Sequence, residues 1–246
     1  MKKLYVCRNV VGNVERSETA DKEKKKQMIT TEELQELASQ LRHPNGAKGI
    51  EVADLMNETN ISMTLHSIDR LNLLDNDSIM ELGHGNCRHL PYILQQKNNL
   101  TYHGLDISEL MNKEAKRINQ QFVDRQQASF YLYDGQNIPF SDSCFDKVFT
   151  VNTIYFWVDP KFLISELYRV IKPNGMINIT FCQQHYMKQQ PQTQFGFTLY
   201  DNEKIEQLIA TTQFKIIGSD TQTETVKSKI GDGLVDREFT TFMIEK

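Results

Sequence analysis

From Asp77 onward the chain repeats one pattern, a short apolar run followed by a helical segment. The runs are SIMEL (78–82), LTYHGLD (100–106), ASFYLYD (128–134), DKVFTVN (146–152) and MINITF (176–181). Between them lie LPYILQQ, SELMNKEAKRINQQF and PKFLISELYRVI. Strands alternating with helices require right-handed crossovers and a mostly parallel sheet buried on both faces. The predicted fold class is therefore α/β, a doubly wound sheet. After the fifth run come a helix, DNEKIEQLIATT, and two further strands, FKIIGSDT and REFTTFMIEK. Their connection is too short and polar for a helical crossover, so these last two strands should pair antiparallel.

The region before the sheet reads differently. Residues 1–28 mix both charges with little apolar content, as in ERSETADKEKKKQ, and read as a solvated or poorly ordered segment or a basic partner-binding tail. Thr30 with Glu33 makes a capping box, and Leu34, Leu37, Ala38 and Leu41 follow at helical spacing. After the break at RHPNGAKG a second helical pattern runs through Val52, Leu55, Met56, Met63, Ile68 and Leu71. The expected division is thus 1–28, a helical cap or lid at 29–76, and a ligand-binding domain at 77–246.

Bulk properties narrow the function classes. A formal charge of −4 and a pI near 5.9 give no global attraction to nucleic acid or anionic membrane. No apolar window approaches the ~18 residues of a membrane span, and Arg8 and Asn9 interrupt the N-terminal apolar run. Cys7, Cys87, Cys144 and Cys182 are scattered without metal or disulfide spacing, so free thiols, no metal site and a cytoplasmic protein are expected.

In a doubly wound sheet the ligand binds at the carboxyl ends of the strands. The first strand ends there in MELGHGNCRHL, with Gly83 and Gly85 able to bring backbone close to a ligand. Two ordinary turn glycines are the alternative. A dinucleotide fingerprint needs a third Gly at position 88, which is Arg88, and no Gly-Lys-Ser/Thr ending marks a P-loop. Glu81 stands two residues before Gly83, where it repels a pyrophosphate and favours a cationic ligand. Asp106 ends the second strand where an acid accepts both hydroxyls of a ribose, unless it or Ser108 merely caps the next helix. Asp134 ends the third run, to meet an adenine amino group or to form an Asp-Gly turn.

MELGHGN, GLDIS, YDGQNIPFSDSCFDKVFTVNTIYFW and ELYRVIKPNGMINITF together resemble, in order and spacing, the motifs of class I S-adenosylmethionine-dependent methyltransferases. The likeness covers roughly Leu71 to Lys246 and is to the small-molecule group that includes the ubiquinone and menaquinone biosynthesis enzymes. It implies a Rossmann-like, seven-stranded, mostly parallel sheet with an antiparallel last strand and an N-terminal helical cap. It implies S-adenosyl-L-methionine as cofactor, with S-adenosyl-L-homocysteine as product. Carried over to this chain, Glu81, Gly83 and Gly85 line the methionine and ribose side. Asp106 takes the ribose hydroxyls, Ile107 lies against the adenine, Asp134 and Gly135 meet its edge, and Asn152 lies by the methionyl part. One departure is Cys87, where family members often carry a third Gly. A reactive thiol at a helix start and a small buried residue are its two readings, and no His lies at a spacing that suggests a Cys-His pair.

The expected reaction is in-line displacement of a sulfonium methyl by a small organic acceptor, driven mainly by positioning. If the acceptor must lose a proton, His84, Tyr155, His185 and Tyr186 are the candidate bases, each also readable as a packing or lining residue. Ile154 to Trp157 (IYFW) either walls the acceptor pocket, through Tyr155 and Trp157, or packs the next helix. The resemblance implies that the helical segment around Asn57, Asn60, Met63 and His66 folds over the cofactor as a lid; Asn57 and Asn60 share a helix face, to reach the methionyl carboxylate or to stand as surface polar residues, and Asn60 is also placed by the acceptor. No nucleic-acid partner or membrane insertion is expected, and the assembly reads as a monomer or homodimer. Methylation of RNA or protein, or cofactor binding without catalysis, are the rival readings.

Overall fold

The computed structural model describes residues 29–228 and 233–246. The segment 1–28, read above as solvated or tail-like, lies outside the described residues. Seven strands build one sheet: β1 (Ser78–Leu82), β2 (Thr101–Asp106), β3 (Ala128–Leu132), β4 (Phe145–Val151), β5 (Ile171–Cys182), β6 (Lys215–Lys227) and β7 (Leu234–Glu245). Their spatial order is β3-β2-β1-β4-β5-β7-β6. Every pair from β3 across to β5 is parallel, and β7 runs antiparallel to both β5 and β6. The last two strands pair as the short connection requires. β7 is the one inserted against β5, which leaves β6 at the edge.

The central strands are apolar because both faces are covered. Ile79, Met80, Leu82, Val148 and Phe149 have no exposed surface, and burying each such side chain is worth about 1.5–3 kcal/mol. Alternation along β1 divides them between two layers. Ile79 packs with Leu90, Ile93, Tyr102 and Phe149 on one face. Met80 and Leu82 pack with Leu163, Ile164 and Leu167 on the other. The first layer is closed by α3 (Leu90–Leu94), α4 (Glu109–Ile118) and α5 (Gln120–Asp124), the second by α6 (Pro160–Val170) and α8 (Asn202–Ile209). A single turn, α7 (Gln184–Met187), follows β5.

Among the described residues two helices precede the sheet, α1 (Thr31–Arg42) and α2 (Gly46–Asp69). The capping box forms as the sequence predicts: Glu33 N–H donates to Thr30 Oγ1 at 3.1 Å and Thr30 N–H to Glu33 Oε2 at 2.8 Å. Pro44 and Gly46, at φ +61°, break the chain before α2. The sheet holds α2 by its carbonyls, since Asn178 Nδ2 donates to Ser67 O and Arg237 Nη2 to Thr59 O, both at 2.7 Å. α2 is thereby stretched across the carboxyl ends of the strands. Among the described residues no helix is long and apolar enough to cross a membrane.

Candidate functional site

The sheet order reverses between β1 and β4, and the site is built there. Gly83 takes φ +80°, and a Cβ on it would stand 2.3 Å from Thr153 Cγ2. Gly85 takes φ +56°, and a Cβ on it would meet nothing within 4 Å, because that side is open cleft. Both glycines are therefore needed, one for packing and backbone, the other for backbone and room. Cys87 also takes the left-handed backbone, at φ +51°. The departure at the third glycine position is one of side chain and not of chain path.

Asp106 is fixed by this turn. Its Oδ2 accepts from Gly85 N–H at 3.0 Å and its Oδ1 from Ser108 N–H at 2.8 Å. Ser108, not Asp106, caps the following helix, its Oγ accepting from Met111 N–H at 3.2 Å. Burial pushes the Asp106 carboxyl up, against the pull of His84 and the two N–H groups. A carboxylate has about four acceptor positions, so an aimed and half-used acceptor remains at the end of β2.

A cleft enclosing about 1040 Å³, counting the open space at its mouth, lies over these residues. Glu81, Gly83, Gly85, Asp106, Ile107, Gly135 and Asn152 all line it, as does His84. Its roof comes from the end of α1 and the middle of α2, including Leu41, Met56, Asn57, Asn60 and Thr64, and Trp157 is part of its wall. Of the expected lid residues, Met63 is buried beneath, within 3.5 Å of Asn152 Nδ2, and His66 faces Asp220 at 3.3 Å.

Asp134 does not line the cleft. Its Oδ1 accepts from Gln136 N–H at 2.8 Å and Asn137 N–H at 2.7 Å, and its Oδ2 from Asn137 Nδ2 at 2.6 Å. The Asn137 amide and these N–H groups hold its carboxyl below the usual range. The carboxylate is consumed by its own Asp-Gly turn, and the wall is made by Tyr133 and Gly135.

Glu81 belongs to a network that the sequence does not announce. Its Oε2 accepts from His89 Nε2 at 2.7 Å and from the Tyr102 hydroxyl, while the Cys87 thiol donates to Tyr102 Oη at 3.2 Å. Burial pulls the His89 pKa down, but the Glu81 carboxylate outweighs it and holds His89 well above its ordinary value. His89 Nε2 also stands 4.0 Å from Cys87 Sγ. The expectation that no His pairs with Cys87 is thus corrected, since a turn of positive φ folds residue 89 back on 87. Burial pushes the Cys87 thiol up, so the small-buried-residue reading applies and the nucleophile reading does not. The ligand atoms of Glu81, Cys87 and His89 lie within 4.8 Å of one another. Each is already engaged in this network, so the cluster needs no ion to be satisfied.

Behind Asn152 the cleft continues into an inner pocket of about 510 Å³, lined by Met56, Phe156, Cys182, Tyr186, Met187, Gln192, Phe197 and Arg237 among others. Leu41, Met56, Asn60, Asn152 and Phe156 face both chambers. Tyr155 reaches the inner pocket but is locked: its hydroxyl donates to Asn152 Oδ1 at 2.9 Å and accepts from Cys182 N–H at 2.5 Å. Burial holds its pKa well above the ordinary value, which removes it as a base. His185 is exposed, 3.7 Å from Glu238, and lines neither chamber. Tyr186 lines the inner pocket, and His84 lines the cleft with Nδ1 turned to Gly85 O at 2.7 Å. Trp157 Nε1 donates to Thr153 Oγ1 at 3.1 Å. Of the aromatics after β4, Phe156 lines both chambers and Trp157 only the outer cleft, so of the two residues expected to wall the acceptor pocket only Tyr155 lines the inner one, where it also pins the ends of β4 and β5 together. Arg237 was not foreseen: a lone basic residue in a strand carries no signal until β7 is placed beside β5.

The family model described as a methyltransferase domain matches residues 80–179. The uncharacterized methyltransferase YdaC of Bacillus subtilis is 32% identical over 127 residues, spanning 51% of this chain and 67% of the relative. The malonyl-[acyl-carrier protein] O-methyltransferase of a Marinomonas species is 28% identical over 55% of this chain and 48% of its own length. Among solved structures, a SAM-dependent methyltransferase from Aquifex aeolicus superposes with a TM-score of 0.57 at 15% identity, over 78% of this chain and 92% of its own. The geranyl diphosphate C-methyltransferase of Streptomyces coelicolor, with S-adenosyl-L-homocysteine bound, gives 0.62 at 12% identity over 75% of each chain.

Proposed function

Since the chain belongs to the class I S-adenosylmethionine-dependent methyltransferases, we propose that it methylates a small organic acceptor seated in the inner pocket, with the donor in the outer cleft. The observation that carries this reading is the pair of joined chambers sharing Asn60, Asn152, Met56 and Phe156. A donor chamber and an acceptor chamber must meet along one line if displacement is to be in line.

The residues suit the cofactor. The open side of Gly85 is a cradle that any side chain would fill. Asp106, already aimed by two backbone N–H groups, keeps acceptor positions for a ribose diol. Ile107 and Gly135 flank the space for an adenine, and Glu81 turns an anchored carboxylate toward the end suited to an amino group. When bound, S-adenosylmethionine supplies an electrophilic sulfonium methyl. The chain's own contribution is to hold and to dry: oriented reactants are worth about 7–11 kcal/mol in well-placed systems, and Leu41 of α1, Met56 and Asn60 of α2, and Phe156 line the junction.

Among the described residues the inner pocket holds no carboxylate and no histidine. The wall therefore offers no carboxylate or imidazole base, and burial pushes the Tyr186 hydroxyl up, which favours an acceptor atom that attacks without a base. The apolar character of the pocket supports a small molecule over RNA, as does the net charge of −4.

Calorimetric titration with S-adenosylhomocysteine tests the donor half. Saturable heat at one site per chain is expected, and folded protein that gives none sinks the reading. Transfer of labelled methyl from S-adenosylmethionine into a metabolite extract, followed by identification of the product, tests the acceptor half.

A further inference from the structure

Among the described residues Arg237 is the largest fully buried side chain, 2% exposed, and the inner pocket's one charged lining residue. It stands on β7 directly across from Glu224 on β6. Four of its five N–H groups are engaged: Nε and one Nη2 hydrogen with Glu224 Oε1, the other Nη2 hydrogen with Thr59 O at 2.7 Å, and one Nη1 hydrogen with Asn60 Oδ1 at 3.1 Å. Glu224 lies outside the pocket lining, and its other oxygen is taken by Ser62. The surface offered to a bound molecule is therefore the cation and its remaining Nη1 hydrogen. Arg237 lines the inner pocket and not the outer cleft.

A second buried polar residue lines the same space. Gln192 is 3% exposed, and its Oε1 is buried with no hydrogen-bond partner. A buried acceptor without a partner costs about 1–3 kcal/mol, so the oxygen does not hold the carboxamide in one orientation. The two ends of a carboxamide exchange by a half-turn of the side chain, which lets Gln192 donate to an anion. The rest of the lining is mainly apolar, with Met56, Phe156, Phe197 and Met187.

We infer that the acceptor is a carboxylic acid with an apolar body, its carboxylate held by Arg237 and Gln192 and its body lying against Met56, Phe156 and Phe197. This rests on the inner pocket being the acceptor chamber. One spare guanidinium hydrogen and one carboxamide match a two-oxygen anion.

The test uses the full chain saturated with S-adenosylhomocysteine and titrated with hexanoate, octanoate, decanoate and phenylpropionate, each beside its primary amide. Heat of binding and the fluorescence of Trp157, the sole tryptophan, give the readout. The acids are expected to bind at least about tenfold tighter than their amides, the discrimination of one charge-assisted hydrogen bond. Arg237→Met should bring acid and amide to equal affinity, and Arg237→Lys should restore part of the preference. Should Arg237→Met fail to fold, the acid-to-amide ratio of the unmodified chain decides alone. Amides equal to acids, or no acid bound while S-adenosylhomocysteine binds, overturns the inference and leaves the methyltransferase reading standing. Absence of S-adenosylhomocysteine binding overturns both.

Discussion

Two glycines one residue apart do different work, and substitution separates them. At Gly83 a Cβ meets Thr153 Cγ2 at 2.3 Å on a backbone of φ +80°. Gly83→Ala should therefore push β1 from the end of β4 and lower the melting temperature by several degrees. At Gly85 the space is open, so Gly85→Ala carries only the left-handed backbone penalty of about 1–2 kcal/mol. Its methyl, however, enters the cleft, and S-adenosylhomocysteine affinity should fall more steeply than stability. Differential scanning calorimetry and titration on both variants check this, and a Gly85→Ala protein with unaltered affinity would remove the turn from the donor site. These residues were legible in the sequence because a strand end, two glycines and an acid lie within a few positions of each other. Asp134 was only half legible, since whether an Asp-Gly pair faces a ligand or its own turn depends on where Gln136 and Asn137 point. His89 and Tyr102 were invisible because Glu81 gathers them from two other elements.

At the scale of elements, the strands announced themselves by buried apolar runs and α1 by its capping box, because both signals are local. The place of β7 did not, since a short connection fixes that the last two strands pair but not which of them lies against β5. That placement matters, because β7 carries Arg237 to the acceptor chamber. The helices over the cleft differ in how firmly they are held. α1 buries only Ala38 and Gln40, whereas α2 buries eight residues and is tied to the sheet through Thr59 and Ser67. Few buried contacts mean low local stability, so α1 should open more readily than α2, and both should be secured by a ligand beneath them. Hydrogen exchange with S-adenosylhomocysteine added should slow at residues 37–42 and 53–64, with little change in the interior of β1 and β4. Unchanged exchange in both helices would mean that they do not cover the donor.

At the scale of the whole molecule, the donor cleft joins β1, β2, β4, α1 and α2, elements whose contacts with one another also hold the fold together. The donor cleft was legible as a set of strand ends under a lid, but the inner pocket was not, because it joins segments as far apart as Leu41 and Arg237 and leaves no pattern in any one of them. The same geometry couples binding to global stability. A ligand bound only to the folded chain at one hundred times its dissociation constant stabilises it by about 2.7 kcal/mol, and for a chain of this size each kcal/mol raises the melting temperature by about 2–4 °C. S-adenosylhomocysteine should therefore raise the midpoint by roughly 5–11 °C. Asp106→Ala removes the acceptor aimed by Gly85 and Ser108 and should weaken affinity at least about tenfold. At the same ligand concentration the stabilisation then drops to about 1.4 kcal/mol, and the shift to half or less. The comparison is made within each variant, with and without ligand, so any change that Asp106→Ala makes to the unliganded midpoint cancels. An undiminished shift would show that the adenosyl group is held elsewhere than at the end of β2.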